Sequence, residues 1–380
     1  MAAAPAPAAP QQPAPFPAAV PVLVDVAGVT LRALGPADLP AVVEQCRDPE
    51  MVRWTTVPDP EGGYGLREAE EFLAHVARGW EEGSRLSWAI EEQARPGRFC
   101  GSISLDLAED GLAEVGFGLH PAARGRGLTD AALRLVRDHA FDTLGLSTLR
   151  WRAVVGNWAS RRVAAKAGFR LEGTVRRLLV HRGRRYDGWV ATLTRDDERT
   201  PLRWLDLPVL TGTHVRLRPF ADADADRVVE ACADPRTQQW LVSLPRTYRR
   251  QHALDYLGSI REQAARGTGL VWCVADVADD RCLGSLALEG FGGYARRAEI
   301  GYWSHPDARG RGRLTEAVRL VTRHAERVAL VDSLVIRAAA GNRASRHVAE
   351  AAGYREVGVL LRAEPLGDQT LADLVVYARP

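Results

Sequence analysis

Apolar residues along the chain follow two spacings, every second residue in short runs and every third or fourth in longer ones. The segment 66–80 places Phe72, Leu73, Val76 and Trp80 at helical spacing, which predicts an amphipathic helix. The short apolar and β-branched runs predict strands in the first half of the chain at residues 29–34, 86–91, 99–107, 113–119 and 149–155. Helices and strands alternate, so the pattern predicts a mixed α/β fold around one central sheet.

The same pattern occurs twice. The segment Glu44-Gln-Cys-Arg-Asp-Pro49 recurs as Glu230-Ala-Cys-Ala-Asp-Pro235, and His120-Pro-Ala-Ala-Arg-Gly-Arg-Gly127 recurs as His305-Pro-Asp-Ala-Arg-Gly-Arg-Gly312. A nearly constant offset over half the chain indicates a duplicated domain, not a solenoid of short units. The second copy is therefore expected to repeat the elements, with strands near 271–275, 283–288 and 298–304 and a helix over 314–328.

Two domains of ordinary size fit a chain of 380 residues that is 46% hydrophobic. We expect a first domain at residues 22–197, a linker at 198–212 and a second domain at 213–380. Residues 1–21 are rich in Ala and Pro and lack both the basic start and the continuous apolar run of a signal peptide. This composition predicts a disordered tail.

Opposite charges nearly balance, with 50 Lys and Arg against 48 Asp and Glu and a formal net charge of +2. Such a chain has no global field that favours DNA or an anionic membrane as a partner. No run approaches the roughly 18 apolar residues that a membrane span needs. The five cysteines show no C-x-x-C spacing, so we expect reduced thiols in a cytoplasmic protein and no metal site.

The strongest chemical signal is the tetrapeptide Arg-Gly-Arg-Gly, which lies between a predicted strand and a predicted helix in each half. Glycines allow the backbone to approach a phosphate, and the helix dipole adds positive potential at that point. Arginine side chains supply further donors for phosphate oxygens. One such tetrapeptide also fits a solvated loop or a nucleic-acid contact, but two in equivalent positions favour a phosphate-bearing ligand.

The order of these motifs resembles the GNAT superfamily, and within it the branch of RimJ and RimL. The resemblance covers about residues 28–195 and 214–379, and includes Gly156-Asn-Trp-Ala-Ser160 and Gly341-Asn-Arg-Ala-Ser345. It implies that acetyl-CoA lies where two parallel central strands splay apart, near Leu119 and Val155 and their counterparts. The implied cofactor-binding residues are Phe117, Arg124, Gly125, Arg126, Gly127, Leu128, Thr129 and Asn157 in the first copy, and Tyr302, Arg309, Gly310, Arg311, Gly312 and Asn342 in the second.

Two departures from the family pattern stand out. A small residue is expected at the last position of the loop motif, where this chain has Thr129 and Leu314, and Leu314 is expected to crowd its loop. Many relatives also carry a tyrosine seven residues after the motif asparagine, where this chain has Ala164 and Ala349. The proton for the departing thiolate must then come from another group.

Acetyl transfer to an amine needs a base, a stabilised thioester oxygen and a proton for the thiolate. Glu114 and Glu299 begin the strand before each loop and are the predicted bases, with a solvated ion pair to arginine as the alternative. The family resemblance assigns the polarising N–H groups to Phe117 and Tyr302. It assigns the thiolate acid to two further residues, Ser160 and Ser345, with water as the alternative proton donor.

For several other candidate site residues, a purely structural role is the alternative to a functional one. Asn157 and Asn342, like Ser160 and Ser345, open a helix, where capping alone would account for them. His139 and His324 lie near a helix end, which favours a buried or dipole-stabilising role. The repeated aromatic residues Trp54 and Trp240 are candidates for substrate binding, and ordinary core packing is the alternative.

These residues predict an N-acetyltransferase that moves acetyl from acetyl-CoA to a primary amine by direct attack, at a protein N-terminus or a small molecule. The alternative is that one or both copies are non-catalytic acyl-CoA-binding or scaffolding modules. The identity of the acceptor depends on loops that the motifs do not cover. The arginine-rich segment 176–185 predicts either a solvated hairpin or a basic surface that favours an acidic or RNA-associated acceptor. A homodimer is also possible.

Overall fold

The computed structural model describes residues 19–58, 63–290, 296–328, 331–367 and 370–379. It divides into two compact units, Met1–Leu202 and Arg203–Pro380. Most of the predicted Ala- and Pro-rich tail, residues 1–18, lies outside the described residues.

The N-terminal unit consists of one sheet and the helices that pack on it. Its strands are β1 Leu23–Val24, β2 Val29–Arg32, β3 Arg85–Glu92, β4 Phe99–Leu107, β5 Leu112–Leu119, β6 Thr148–Val154, β7 Arg170–His181 and β8 Arg184–Thr194. Its helices are α1 Leu39–Arg47, α2 Pro49–Trp54, α3 Leu66–Glu82, α4 Leu128–Asp138 and α5 Trp158–Lys166.

The C-terminal unit repeats this order. Its strands are β9 Leu210–Thr211, β10 Val215–Arg218, β11 Gly269–Asp276, β12 Cys282–Glu289, β13 Arg297–Ser304, β14 Ser333–Ala339, β15 Arg355–Pro365 and β16 Leu371–Ala378. Its helices are α6 Ala225–Ala233, α7 Pro235–Trp240, α8 Arg250–Arg266, α9 Arg313–Arg327 and α10 Arg343–Ala351. The mixed α/β fold and the duplication predicted from the sequence are confirmed.

Each sheet has eight strands in the same spatial order, β1-β2-β3-β4-β5-β6-β8-β7 and β9-β10-β11-β12-β13-β14-β16-β15. The pairs β5–β6 and β13–β14 are parallel, and the other neighbours are antiparallel. Parallel neighbours need a crossover between them, and α4 and α9 supply it. Both helices bury a stripe of apolar side chains against their sheet, which fixes their N-termini at the sheet edge.

The parallel strands stay together for only three residues in each unit. In the first unit the paired residues run from Leu112 with Thr148 to Glu114 with Arg150, and in the second from Arg297 with Ser333 to Glu299 with Val335. Beyond these pairs the strands diverge. The divergence leaves a cleft in the middle of each sheet, as the family resemblance implied.

The structure contains four short helices and strands that the apolar pattern did not predict. The helices α2 and α7 were not predicted, because six residues without a buried apolar stripe show no periodicity. The short strands β1 and β9 were not predicted either, and β9 pairs with β10 inside the range 198–212, so Leu210 and Thr211 belong to the second sheet. Each longer predicted strand corresponds to an observed strand, with bounds that differ by a few residues at most.

Candidate active site

The Arg-Gly-Arg-Gly loop of each unit follows the central strand and leads into α4 or α9. Gly125 and Gly127 have φ of 74° and 73°, and Gly310 and Gly312 both have φ of 71°. Only glycine adopts this left-handed conformation without strain. A Cβ atom at any of the four would meet nothing within 4 Å, so the loop faces open space.

The helices after these loops begin without a side-chain cap. Gly127 and Gly312 are the N-cap residues of α4 and α9, and neither helix receives a side-chain hydrogen bond there. The first N–H groups of such a helix remain available to an anion, and the dipole adds to their effect. The geometry therefore fits a pyrophosphate at both loops.

The first arginine of each loop forms an ion pair with an aspartate that caps a short helix. Arg124 donates to Asp48, which also caps α2 through a 3.0 Å bond from the N–H of Met51. This contact lowers the pKa of Asp48. In the second unit Arg309 donates to Asp234 at 2.6 Å. The two arginines were predicted to bind the cofactor. In this structure they contact the aspartates at the starts of α2 and α7 and so hold these helices against the loops.

The second arginine of each loop differs between the units. Arg126 forms an ion pair with Glu92 at the end of β3, and this contact is the main cause that lowers the pKa of Glu92. Arg311 is exposed, and no ion pair holds it within the described part of the chain. Arg311 is therefore the better placed of the two for an incoming phosphate.

The residues that follow the loops point inward. Leu128 and Thr129 are buried, at 6% and 7% exposure. Leu314 packs against the core of the second unit, so the expectation that it crowds the loop is wrong. At these positions we expect the backbone N–H groups, not the side chains, to contact a ligand.

Asn157 and Asn342 cap the helices α5 and α10. Each side-chain oxygen accepts a hydrogen bond from the backbone N–H of the serine three residues later, at 3.2 Å in the first unit and 3.1 Å in the second. The capping alternative is thus observed in both units. The carbonyl oxygen is committed to the cap, so a contact with a pantetheine arm would use the amide nitrogen.

The two serines have different partners. The Ser160 hydroxyl accepts a hydrogen bond from the indole N–H of Trp151 at 3.1 Å. The Ser345 hydroxyl lies 3.1 Å from the phenol oxygen of Tyr302, which also donates to the Ser345 carbonyl at 3.0 Å. Burial raises the pKa of Tyr302 to about 12. Ser160 therefore keeps its own proton available for donation, whereas Ser345 shares its hydroxyl with a phenol.

Phe117 and Tyr302 lie on β5 and β13 beyond the last parallel pair, so both belong to the diverging part of the strands. Their side chains pack against the cores on the helix α4 and α9 side. The residues before them, Gly116 and Gly301, face the opposite side of the sheet. This arrangement places the backbone of Phe117 and Tyr302 at the wall of each cleft.

The predicted bases lie where the parallel strands part. Glu114 accepts a hydrogen bond from Arg150 at 3.0 Å and lies 2.7 Å from Nε of Arg152. Glu299 accepts from Arg337 at 2.8 Å. The solvated ion pair considered as an alternative is thus present at both positions.

A second carboxylate faces each predicted base and was missed from the sequence. Asp106 on β4 is the cross-strand partner of Glu114, and Glu289 on β12 is the partner of Glu299. Burial raises the pKa of Asp106, and the charge of Glu114 adds to the shift against the opposing effect of Arg85. Paired carboxylates with a raised pKa are typical of acid and base sites. The signal lay in the strand register, which the sequence alone does not give.

The two tryptophans named as substrate-binding candidates lie against the turns that follow β6 and β14. Trp54 ends α2, and its ring lies against Gly156 at the turn between β6 and α5. Trp240 lies against Gly341 in the same way. Both rings are partly exposed, which contrasts with the buried side chains of the core alternative.

Two histidines from the sequence analysis lie away from this chemistry. His139 packs edge-on against Trp88, and burial lowers its pKa. His324 is also buried in part, and burial lowers its pKa. Both fit the structural role expected of them.

One group of buried side chains has the composition of a metal site. The ligand atoms of Asp224, Cys273 and Cys282 lie within 4.8 Å of one another. However, both oxygens of Asp224 accept hydrogen bonds from Arg218, at 2.8 and 2.9 Å. The Arg218 guanidinium thus binds both carboxylate oxygens that a metal ion would need as ligands.

Among the described residues, no helix combines the length and apolarity required to span a bilayer.

One protein family matches both halves of the chain. A family model described as an acetyltransferase (GNAT) domain matches residues 29–170 and, separately, residues 214–355. The chain belongs to the GNAT acetyltransferase family. It is an acyl-CoA-dependent N-acetyltransferase that moves acetyl from acetyl-CoA to an amine, and a purely scaffolding chain is not favoured.

Individual relatives cover one copy at a time. "Putative ribosomal N-acetyltransferase YdaF" of Bacillus subtilis (strain 168) is 29% identical over 152 residues, which are 38% of this chain and 80% of that protein. "Uncharacterized N-acetyltransferase YoaA" of the same organism is 25% identical over 170 residues, 44% of this chain and 94% of that protein. The structure of Mycobacterium smegmatis RimJ in complex with CoA-disulfide is 23% identical, covers 46% of this chain and 86% of its own, and has a TM-score of 0.41.

Proposed function

We propose that this GNAT protein acetylates the free amino terminus of a protein or peptide. Support for this class of acceptor comes from the similarity to a Bacillus subtilis protein whose name describes a ribosomal N-acetyltransferase. The single observation that carries the proposal is the cleft between diverging parallel strands, with a phosphate loop at one end and paired carboxylates on its wall.

The loop binds the pyrophosphate of acetyl-CoA through the first N–H groups of α4 and through Arg126, with Arg311 and α9 in the second unit. The thioester then lies between β5 and β6, where the backbone N–H of Phe117 stabilises the negative charge that develops on its oxygen. Tyr302 offers the same group in the C-terminal unit.

The amine attacks the thioester carbon directly. Its nitrogen forms the new bond to carbon and loses a proton to the carboxylate pair of Asp106 and Glu114, directly or through a water molecule. The bond from carbon to sulfur then breaks, sulfur receives a proton from the hydroxyl of Ser160, and water returns a proton to Ser160 while the carboxylate pair releases the proton it took to solvent. In the C-terminal unit, Glu289, Glu299 and Ser345 occupy the corresponding positions.

Thiol release with short peptides tests the acceptor class. We expect turnover with peptides that have a free amino terminus and none with the same peptides after the terminus is blocked. Turnover with small amines but with no peptide would contradict the proposed acceptor. Mass spectrometry of the products should place the acetyl group on the terminal nitrogen.

Glu114→Gln tests the base. A general base contributes typically 100-fold or more, so the turnover carried by the N-terminal unit, measured in a chain that also carries Glu299→Gln, should fall by roughly 100-fold while the affinity for acetyl-CoA stays unchanged. The matched variant Glu299→Gln reports the share of turnover that the C-terminal unit carries. A collapse of acetyl-CoA affinity in Glu114→Gln would instead assign the glutamate a structural role.

A further inference from the structure

A buried amide without a complete set of partners lies beside the cleft of the N-terminal unit. Gln45 on α1 is 3% exposed, and its side-chain oxygen has no hydrogen-bond partner among the described residues. A buried acceptor that stays unpaired destabilises the fold, so most such groups in native proteins have a partner. An N–H or O–H group of a ligand would remove this cost.

The position of Gln45 connects it to the reacting strand. A Cβ atom at Gly118 of β5 would lie 3.3 Å from the Gln45 amide nitrogen and 2.7 Å from the methyl carbon of Met51. The absence of a side chain at Gly118 therefore lets Gln45 approach the strand. By the alternation of a strand, Gly118 faces the same side as Gly116 and Glu114. The amide thus lies on the face of the sheet that carries the carboxylate pair.

The C-terminal unit lacks this arrangement. Its repeat of the α1 motif has Ala231 in place of Gln45. Trp303 takes the position of Gly118, because it pairs with Ser285 as Gly118 pairs with Ser102. The Trp303 side chain packs into a cluster with Tyr256 and Phe220. The space beside the strand is therefore apolar and filled in the second unit.

We propose that Gln45 is a specificity-determining residue for the acceptor in the N-terminal unit. Rotation of the terminal amide exchanges its oxygen and nitrogen, so that the oxygen faces Gly118 and accepts a hydrogen bond from an N–H or O–H donor carried by the residue that bears the reactive amine. The C-terminal unit, with Ala231 and Trp303, does not recognise that donor. This inference rests on the proposed function and names a feature of its substrate.

Isosteric acceptor peptides test the inference with the full chain. Peptides that begin with threonine or valine have first side chains of nearly equal size, because the threonine hydroxyl replaces one methyl group of valine. A site built to bind a hydroxyl rejects the analogue without it, so kcat/KM should favour the threonine peptide by about tenfold or more. Gln45→Met should abolish this preference by lowering kcat/KM for the threonine peptide, with unchanged affinity for acetyl-CoA.

Gln263→Met is the matched control. Gln263 on α8 also has a buried side-chain oxygen without a partner, but it lies beside Gly269 in the other unit. This variant should keep the full preference. Thermal unfolding of both variants checks that they fold, and Gln45→Leu serves as a second substitution if Gln45→Met does not.

Calorimetric binding of the two peptides in the presence of CoA provides a readout that does not depend on turnover. Equal use and equal binding of the two peptides by the unmodified chain would overturn the inference while leaving the proposed function intact. An unchanged preference in Gln45→Met would also overturn it. Failure to acetylate or bind any peptide would overturn the proposed function as well.

Discussion

One carboxylate, Asp48, joins three parts of the N-terminal site. It caps α2, accepts a hydrogen bond from Arg124 of the Arg-Gly-Arg-Gly loop, and so holds the helix that ends at Trp54 against that loop. Asp234 repeats these contacts in the second unit. The repeated Asp-Pro pair was visible in the sequence, but its role was not, because Asp48 and Arg124 are 76 residues apart. Sequence spacing identifies the loop and leaves its long-range partners undetermined.

The pH dependence of the rate tests the second carboxylate. A base acts when it is deprotonated, so activity should fall as the pH drops through the pKa of Asp106, which burial raises. Asp106→Asn should remove this acidic limb from the profile of kcat/KM. Because the charge of Glu114 also raises this pKa, Glu114→Gln should move the limb to lower pH. If kcat/KM fell at the same pH in the unmodified chain, in Asp106→Asn and in Glu114→Gln, a group other than Asp106 would be the one that titrates.

At the level of elements, the apolar pattern was sufficient for the longer strands and helices and failed for the short ones. β3 and β4 are buried along most of their length, and such runs are recognised from composition. α2 has no buried residue, so its existence depends on the Asp48 cap and the Pro49 that follows. The register of the strands was not predicted either. The sequence therefore did not show that Asp106 and Glu114 lie opposite each other on neighbouring strands.

Two helical glycines should respond oppositely to alanine. Gly258 in α8 has open space around its Cα, so Gly258→Ala should stabilise the fold by up to about 1 kcal/mol. Gly79 in α3 packs against β3, where a Cβ atom would lie 2.8 Å from Cβ of Arg85. Gly79→Ala should therefore destabilise by about 1–3 kcal/mol. Scanning calorimetry of the two variants gives the comparison, and a rise in Tm for Gly79→Ala would contradict it.

For the whole molecule, duplication is the feature that made the fold accessible from the sequence. Arg-Gly-Arg-Gly is a weak signal by itself, and its repetition before an equivalent helix turned it into a reliable one. The same comparison of copies also shows where they have diverged. Gly118 against Trp303 and Trp151 against Ile336 are differences whose consequences depend on packing, which the sequence does not display.

Titration with acetyl-CoA should give two sites per chain, because both loops have the same backbone conformation and face open space. A β-branched residue is strained at positive φ, so Gly127→Val and Gly312→Val should each reduce the stoichiometry from two to one. Isothermal calorimetry measures this directly. One site in the unmodified chain would indicate that one copy no longer binds the cosubstrate.

We expect the ion pair between Arg124 and Asp48 to couple the binding of the two substrates. A phosphate that draws Arg124 away would weaken the hold on the start of α2, and α2 carries Trp54, the residue predicted to bind the acceptor. Coupling of this kind is reciprocal, so an acceptor that fixes α2 must change the affinity for the cosubstrate by the same factor. The size of this coupling then depends on a single salt bridge at the start of a six-residue helix.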